Sequence, residues 1–204
     1  MFVAPIVLAG GKSTRFGRDK STQTIAGQSL IQRVISRLAP FGDEITIVLA
    51  PGGSISPFPS PVRLRKVSDI YPDRGSLGGV YTGLVLSPSE YNLIVACDMP
   101  FLNEKLIRRM IELTPGYDVV IPKVGVHVEP LHAIYSKNCV PIIEKIWSEG
   151  QSKVLDILQN AKTYYFGEDE IDKIDPHHLS FFNINTSDDL KRAVALEQSA
   201  RGAA

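Results

Sequence analysis

Three apolar runs constrain this chain most: Pro5-Ile6-Val7-Leu8-Ala9, Ile45-Thr46-Ile47-Val48-Leu49 and Leu93-Ile94-Val95-Ala96-Cys97. Each is short and almost free of polar alternation, the pattern of a strand covered on both faces. Between them the spacing turns helical. Leu30, Ile31, Val34, Ile35 and Leu38 share one helix face, Gln32, Arg33, Ser36 and Arg37 fill the other, and Ser29 is placed to cap it. A glycine-rich turn precedes a helix over 76–87. Asn103 caps a helix that carries Leu106, Ile107, Met110 and Ile111 on one face. Further helices are expected over 138–148, 152–160 and 187–198. Strands are expected at 62–67, 118–121 and 131–135, and extended chain at 163–167 and 180–184. Residues 51–61 hold four prolines, two glycines and three serines, so they form a surface loop.

Strands alternating with helices predict an α/β domain with helices on both faces of a mostly parallel sheet. Right-handed crossovers bring the strand-to-helix loops to one edge. Ligands bind at that edge, near the switch in strand order. The loops after Leu8, Val67 and Cys97 are therefore candidates for one site.

Composition narrows the class of function. Lys and Arg number 22, as do Asp and Glu, so the chain has no general nucleic-acid footprint. Two cysteines, Cys97 and Cys139, are too few for a disulfide framework or a zinc site. Cys97 lies in an apolar run and is expected as a buried thiol, which suits a reducing compartment. No run of 18 apolar residues exists to span a membrane. No charged leader followed by a cleavable apolar segment opens the chain. A cytoplasmic protein is expected.

The segment after the first strand carries the most chemistry. In Leu8-Ala9-Gly10-Gly11-Lys12-Ser13-Thr14-Arg15-Phe16-Gly17-Arg18-Asp19-Lys20, two glycines let the backbone turn and approach a ligand. Consecutive amides in such a turn form an anion-binding nest. Four cations lie within nine residues, at Lys12, Arg15, Arg18 and Lys20. A polyphosphate matches that combination. The segment is not a P-loop, which needs glycine where Ile6 stands, and GxGxxG is absent as well.

LAGGKSTRFGRDK resembles the LAGGxSxRMGxDK signature of the molybdenum cofactor guanylyltransferases, with Phe16 in place of methionine. The resemblance continues in order along residues 6–190. Ser68-Asp69 followed by Gly75-Ser76-Leu77-Gly78-Gly79 resembles the family's D…GPLGG segment, with Ser76 in place of proline. Ala96-Cys97-Asp98-Met99-Pro100 is similar to its CDMP metal segment, Glu129-Pro130-Leu131 to its QPL/EPL turn, and Asn183-Ile184-Asn185-Thr186 to its NVNT segment.

The resemblance implies a Rossmann-like nucleotidyltransferase fold, three layers α/β/α. It implies one domain over 1–198, with a nucleotide half over about 1–100, an acceptor half over about 101–198, and a frayed tail at 199–204. It implies transfer of GMP from GTP to molybdenum-molybdopterin with release of pyrophosphate. Relatives that use CTP show LAAG in the first loop.

The site residues follow from the same likeness. Arg15 and Lys20 would hold the triphosphate, and the backbone of Leu8, Ala9 and Gly10 would line the base. Asp69 would serve the GTP pocket through guanine or ribose. Asp98 would ligate Mg²⁺, which binds through one or two carboxylates plus phosphates and water; as a bare sequence feature it could equally cap the turn before Pro100. Asn183 and Asn185 would share a face of a strand end and orient the metal's waters or the acceptor phosphate. His132 either faces the acceptor or is structural, and His177 and His178 lack a ligand set. Proteins of cofactor synthesis or molybdoenzyme maturation are the expected macromolecular partners.

Other readings remain at this stage. They are a nucleotidyltransferase of the same fold acting on another acceptor (molybdopterin cytidylylation, cobinamide phosphate, a sugar or polyol phosphate) and a non-catalytic nucleotide-binding module.

Overall fold

The computed structural model describes residues 2–10 and 23–202. The central strand is β1 (Val3–Leu8). It pairs in parallel with β4 (Glu44–Leu49) on one side and β6 (Tyr91–Ala96) on the other, with Ile6 opposite both Thr46 and Ile94. β5 (Arg63–Ser68) adds in parallel outside β4. The chain thus steps away from β1 on one side and returns to its other side, which puts the switch in strand order at β1.

Beyond β6 the sheet changes character. β9 (His132–Ser136) pairs antiparallel with β6 and with β7 (Val119–Val124). β10 (Thr163–Gly167) pairs in parallel with β7, and short β8 (His127–Val128) folds back on it. The order is β10-β7-β9-β6-β1-β4-β5. A mostly parallel sheet was expected, and β9 and the short β8 are the strands that run against the rest. β9 therefore presents its N-terminal end, preceded by Glu129-Pro130-Leu131, at the edge where the parallel strands present their C-terminal ends.

Side-chain alternation explains the continuous apolar runs. Val7, Ile47 and Val95 face one layer, packed with Ile31 and Ile35 of α1 (Leu30–Leu38) and Leu106 of α3 (Glu104–Glu112). Ile6, Val48 and Ile94 face the other, packed with Leu77 and Leu84 of α2 (Gly75–Leu86) and Ile143 of α4 (Cys139–Ser148). A strand with two covered faces needs no polar side. α2 comes close to β1 because it carries glycine where it touches. A Cβ on Gly83 would lie 3.0 Å from Ile6, and one on Gly79 3.3 Å from Leu8.

Caps fall where the residue types place them. Ser29 accepts from the Gln32 amide while the Gln32 side chain accepts from the Ser29 amide, a reciprocal box that starts α1. The Asn103 carboxamide oxygen accepts from the Lys105 and Leu106 amides at the start of α3.

Several expectations give way. Residues 154–159 form a 3₁₀ segment rather than an α-helix. Residues 180–184 are not a strand; a 3₁₀ turn at Leu179–Phe181 leads into unpaired chain. A short polar helix, α5 (Glu168–Asp172), follows β10. The last helix, α6 (Ser187–Gly202), runs past 199, where a frayed tail was expected. Arg33, assigned to the polar face of α1, is buried and pairs with Glu197 of α6. That pair, with a small cluster of Ile25, Leu30, Ile184 and Ala193, fastens α6 across the hairpin of β2 (Thr24–Ile25) and β3 (Gln28–Ser29). Cys97 is half-buried rather than buried, Cys139 is buried, and neither forms a disulfide among the described residues. No helix among the described residues is long and apolar enough to cross a membrane.

Candidate functional site

The loops after β1, β5 and β6 meet at one edge, as the topology requires. The Ala9 amide donates to the Val48 carbonyl at 2.8 Å and the Cys97 amide to the Leu8 carbonyl at 3.1 Å, so the loop after β1 is held from both sides. Gly10 then passes close over the end of β4. A Cβ there would stand 2.9 Å from the Ala50 amide nitrogen, which only glycine avoids. Leu8, Ala9 and Gly10 thus sit between the two acidic loops. Arg15 and Lys20, with Lys12 and Arg18, lie outside the described residues.

Asp69 follows β5 directly, and its amide donates to the Leu49 carbonyl at 2.7 Å. Its Oδ1 accepts from the Tyr71 amide at 3.0 Å and from the Thr82 hydroxyl at 2.8 Å. That hydroxyl in turn accepts from the Ile70 amide at 2.9 Å. One carboxylate oxygen is therefore spent on fixing the loop against α2, and Oδ2 has no bond among the described residues. α2 begins beside this loop without a side-chain cap and without an acid in its first turn, an arrangement that suits an anion. Ser76 occupies that first turn, where neither proline nor serine costs a helical hydrogen bond. Gly78 is held closer still, since a Cβ there would stand 2.1 Å from the Tyr71 carbonyl oxygen.

Behind Gly10 the ends of β4 and β5 enclose a cleft of about 280 Å³, lined by Leu49, Ala50, Gly53, Ile55, Lys66 and Ser68. The Lys66 ammonium donates to the Ile55 carbonyl at 3.3 Å and closes one wall.

Asp98 follows β6 and is half-buried. Its carbonyl accepts from the Ile184 amide at 3.0 Å, which brings the segment with Asn183 and Asn185 to the same edge. The two asparagines are not on a strand. The Asn183 amide group donates to the Phe181 carbonyl at 3.1 Å, and Asn185 is exposed. α6 is capped reciprocally by Thr186 and Asp189, the Thr186 amide donating to Asp189 at 2.9 Å and the Asp189 amide to the Thr186 hydroxyl at 3.1 Å. Asp98 and Asn183 offer oxygen donors, the set a hard cation such as Mg²⁺ prefers.

The far side of the edge holds residues the sequence reading passed over or left open. Glu129 is half-buried, and burial raises its carboxyl above the usual carboxylate range, an effect that His127 partly offsets. The Tyr135 hydroxyl donates to the Pro130 carbonyl at 2.7 Å and fixes this turn. His132 is wholly buried, and desolvation pushes its pKa down to about 4, so the ring is neutral. Its Nδ1 lies 3.3 Å from the Ser180 carbonyl, and its Nε2 has no partner among the described residues. Buried Asp175 accepts from the Leu179 and Ser180 amides at 3.1 and 2.8 Å. The single hint in sequence was a histidine directly after the turn. Farther out, His178 Nε2 lies 2.6 Å from Asp172, with Glu168 alongside, the three ligand atoms within 4.8 Å of one another. Nothing in the sequence pattern gave His178 such neighbours, and a hydrogen bond at the surface accounts for them.

Comparison with known proteins agrees with this fold. Residues 5–163 match the family described as MobA-like NTP transferase domain. A protein of Pelotomaculum thermopropionicum, named a probable molybdenum cofactor guanylyltransferase, is 33% identical over 196 residues, covering 96% of this chain and 94% of its own. One of the same name from Natranaerobius thermophilus is 36% identical over 198 residues, with 94% of each chain covered. The crystal structure of molybdopterin-guanine dinucleotide biosynthesis protein A from Archaeoglobus fulgidus superposes with a TM-score of 0.80 at 27% identity. It covers 97% of this chain and 100% of that one.

Proposed function

The chain belongs to the MobA-like NTP transferase family, and on that premise we propose that it transfers GMP from GTP to molybdenum-molybdopterin. The products are molybdopterin guanine dinucleotide and pyrophosphate. One observation carries the reading: Asp69 and Asp98 leave the sheet at one edge, on either side of β1, with Leu8, Ala9 and Gly10 between them.

The chemistry asks for position and charge more than for proton transfer. A phosphate oxygen of the acceptor attacks the α-phosphorus of GTP. The bond to the bridging oxygen breaks, and pyrophosphate leaves with that electron pair. An acceptor phosphate is already ionised, so no general base is required. The backbone of Leu8, Ala9 and Gly10 lines the base. Asp69, held by Thr82 through Oδ1, keeps Oδ2 for a guanine N–H or a ribose hydroxyl. Arg15 and Lys20 hold the triphosphate. Asp98, with Asn183 beside it, would hold Mg²⁺, which when bound would neutralise charge on the phosphates. A cytoplasmic location and contact with proteins of cofactor synthesis or molybdoenzyme maturation belong to the same proposal.

The experiment is pyrophosphate release with the acceptor and GTP present together or singly. Release that needs both supports the reading. Release with GTP alone, or with a sugar phosphate in place of the pterin, overturns it.

A further inference from the structure

The segment 174–184 reaches back across the front of the acceptor half, where Ile174 and Phe181 pack against the core and Phe182 against Phe101, and hydrogen bonds fix its path between those contacts. Asn103 ties its first part, donating from its side chain to the Ile174 carbonyl at 3.1 Å and from its amide to the Ser180 hydroxyl at 3.0 Å. The Ile184 amide ties its end to the Asp98 carbonyl at 3.0 Å. Between them stands His132, the first residue of β9, paired with Val95 near the end of the strand that leads to Asp98. A carbonyl only accepts, so the contact with Ser180 requires the hydrogen on Nδ1. The ring of Phe181 packs against the imidazole, centroids 5.2 Å apart and edge to face. With Nδ1–H donating, Nε2 is left as a buried acceptor with no partner among the described residues. An aliphatic or phenyl side chain would fill this place without an unpartnered nitrogen. Histidine adds one thing there, the bond to the 180 carbonyl.

We propose that His132 is a positioning residue for nucleotidyl transfer: its Nδ1–H holds the segment 174–184 so that Ile184 and Asn183 stay docked on the Asp98 loop. The inference rests on the proposed function for its effect on turnover, but the tie itself is independent of it. His132 touches no reacting atom. It acts through the backbone at Ser180, which sits three residues before Asn183 and four before Ile184. The side chain of His132 thereby joins Asn103 in setting the acceptor turn and the acidic loop relative to each other.

Two variants separate the bond from the packing. His132→Leu fills the site without a donor. His132→Asn places an amide nitrogen near the position of Nδ1. In His132→Leu the Ile184 amide should exchange with solvent at least about tenfold faster while the β1 and β6 amides do not change. The kcat for pyrophosphate release should fall at least about tenfold, with the KM for GTP within about threefold. His132→Asn should recover most of both. Equal loss in the two variants, or unchanged Ile184 exchange in His132→Leu, overturns the tie. Faster exchange with unchanged kcat overturns the positioning role. Should His132→Leu fail to fold, the imidazole of the native protein decides. Long-range proton–nitrogen NMR should show the hydrogen on Nδ1, and a hydrogen on Nε2 contradicts the proposal. If the native protein releases no pyrophosphate from GTP, the functional reading fails while the exchange result still stands.

Discussion

The two halves of this sheet reach the same edge by different means. On the nucleotide side, β1, β4, β5 and β6 run in parallel, and each acidic or glycine residue follows its strand within one or two positions. On the acceptor side, β9 runs the other way, and the edge is assembled from segments far apart in sequence. His132 meets residue 180, Asn103 meets 174 and 180, and Asp98 meets 184. A site built from strand ends is fixed as soon as the sheet forms. A site built from distant ties depends on each of them, so the acceptor half should be the easier one to disturb by changing residues that touch no ligand.

The largest effect should come from the nucleotide side. Asp98→Ala leaves the carbonyl that holds Ile184 in place, so the fold and the melting temperature should change little. Turnover should fall by about 10³-fold or more. Retained turnover would remove Asp98 from the machinery and with it the contrast between the halves.

Next is the acceptor segment. Asp175→Ala strips partners from two amides, Leu179 and Ser180, and should cost about 3 kcal/mol in a denaturant titration. Gly78→Ala sets a Cβ 2.1 Å from a carbonyl and should cost about 2 kcal/mol by the same measurement. If Gly78→Ala proved the costlier, the acceptor half would not be the more fragile one.

Acid sharpens the comparison. The His132 pKa stands at about 4 in the folded protein against 6.5 unfolded. Between those values the unfolded chain binds the proton and the folded chain does not. Stability is therefore full above pH 6.5 and is lost as pH falls towards 4, by about 3 kcal/mol from this ring. Glu129, whose carboxyl is raised, works in the opposite sense, favouring the folded form as pH falls through its range. The difference between native protein and His132→Asn isolates the histidine. Equal acid sensitivity in the two would mean that the ring is not held neutral.

The smallest effect is expected at Thr82. Valine keeps its shape and loses the hydroxyl that holds Asp69 Oδ1, so the KM for GTP should rise about fivefold, worth about 1 kcal/mol, with kcat little changed. A fall in kcat instead would place Asp69 on the reacting phosphates rather than on the nucleoside.

The same contrast explains what could be read from sequence. Strands buried on two faces announce themselves as apolar runs, so β1, β4 and β6 and the residues that follow them were legible. Ser29 and Asn103 were legible as caps because their bonds reach only two or three residues ahead. The direction of β9 was not, because an apolar run reads the same either way along a sheet. Asn183 and Asn185 read as alternate residues of a strand, yet the segment takes its shape from Asp98 and Thr186, not from a neighbouring strand. Arg33 read as a solvent-facing residue because Glu197, 164 residues on, is invisible to a helical wheel. Local hydrogen bonding leaves a mark in the sequence, and distant pairing does not.

Guanylyl transfer itself is tested most directly by competition. The protein would be given equal GTP, CTP, ATP and UTP with Mg²⁺ and molybdenum-molybdopterin, and the dinucleotide formed would be identified by mass. The guanine dinucleotide alone is predicted. The cytosine dinucleotide, a mixture without preference, or no dinucleotide at all would contradict the account.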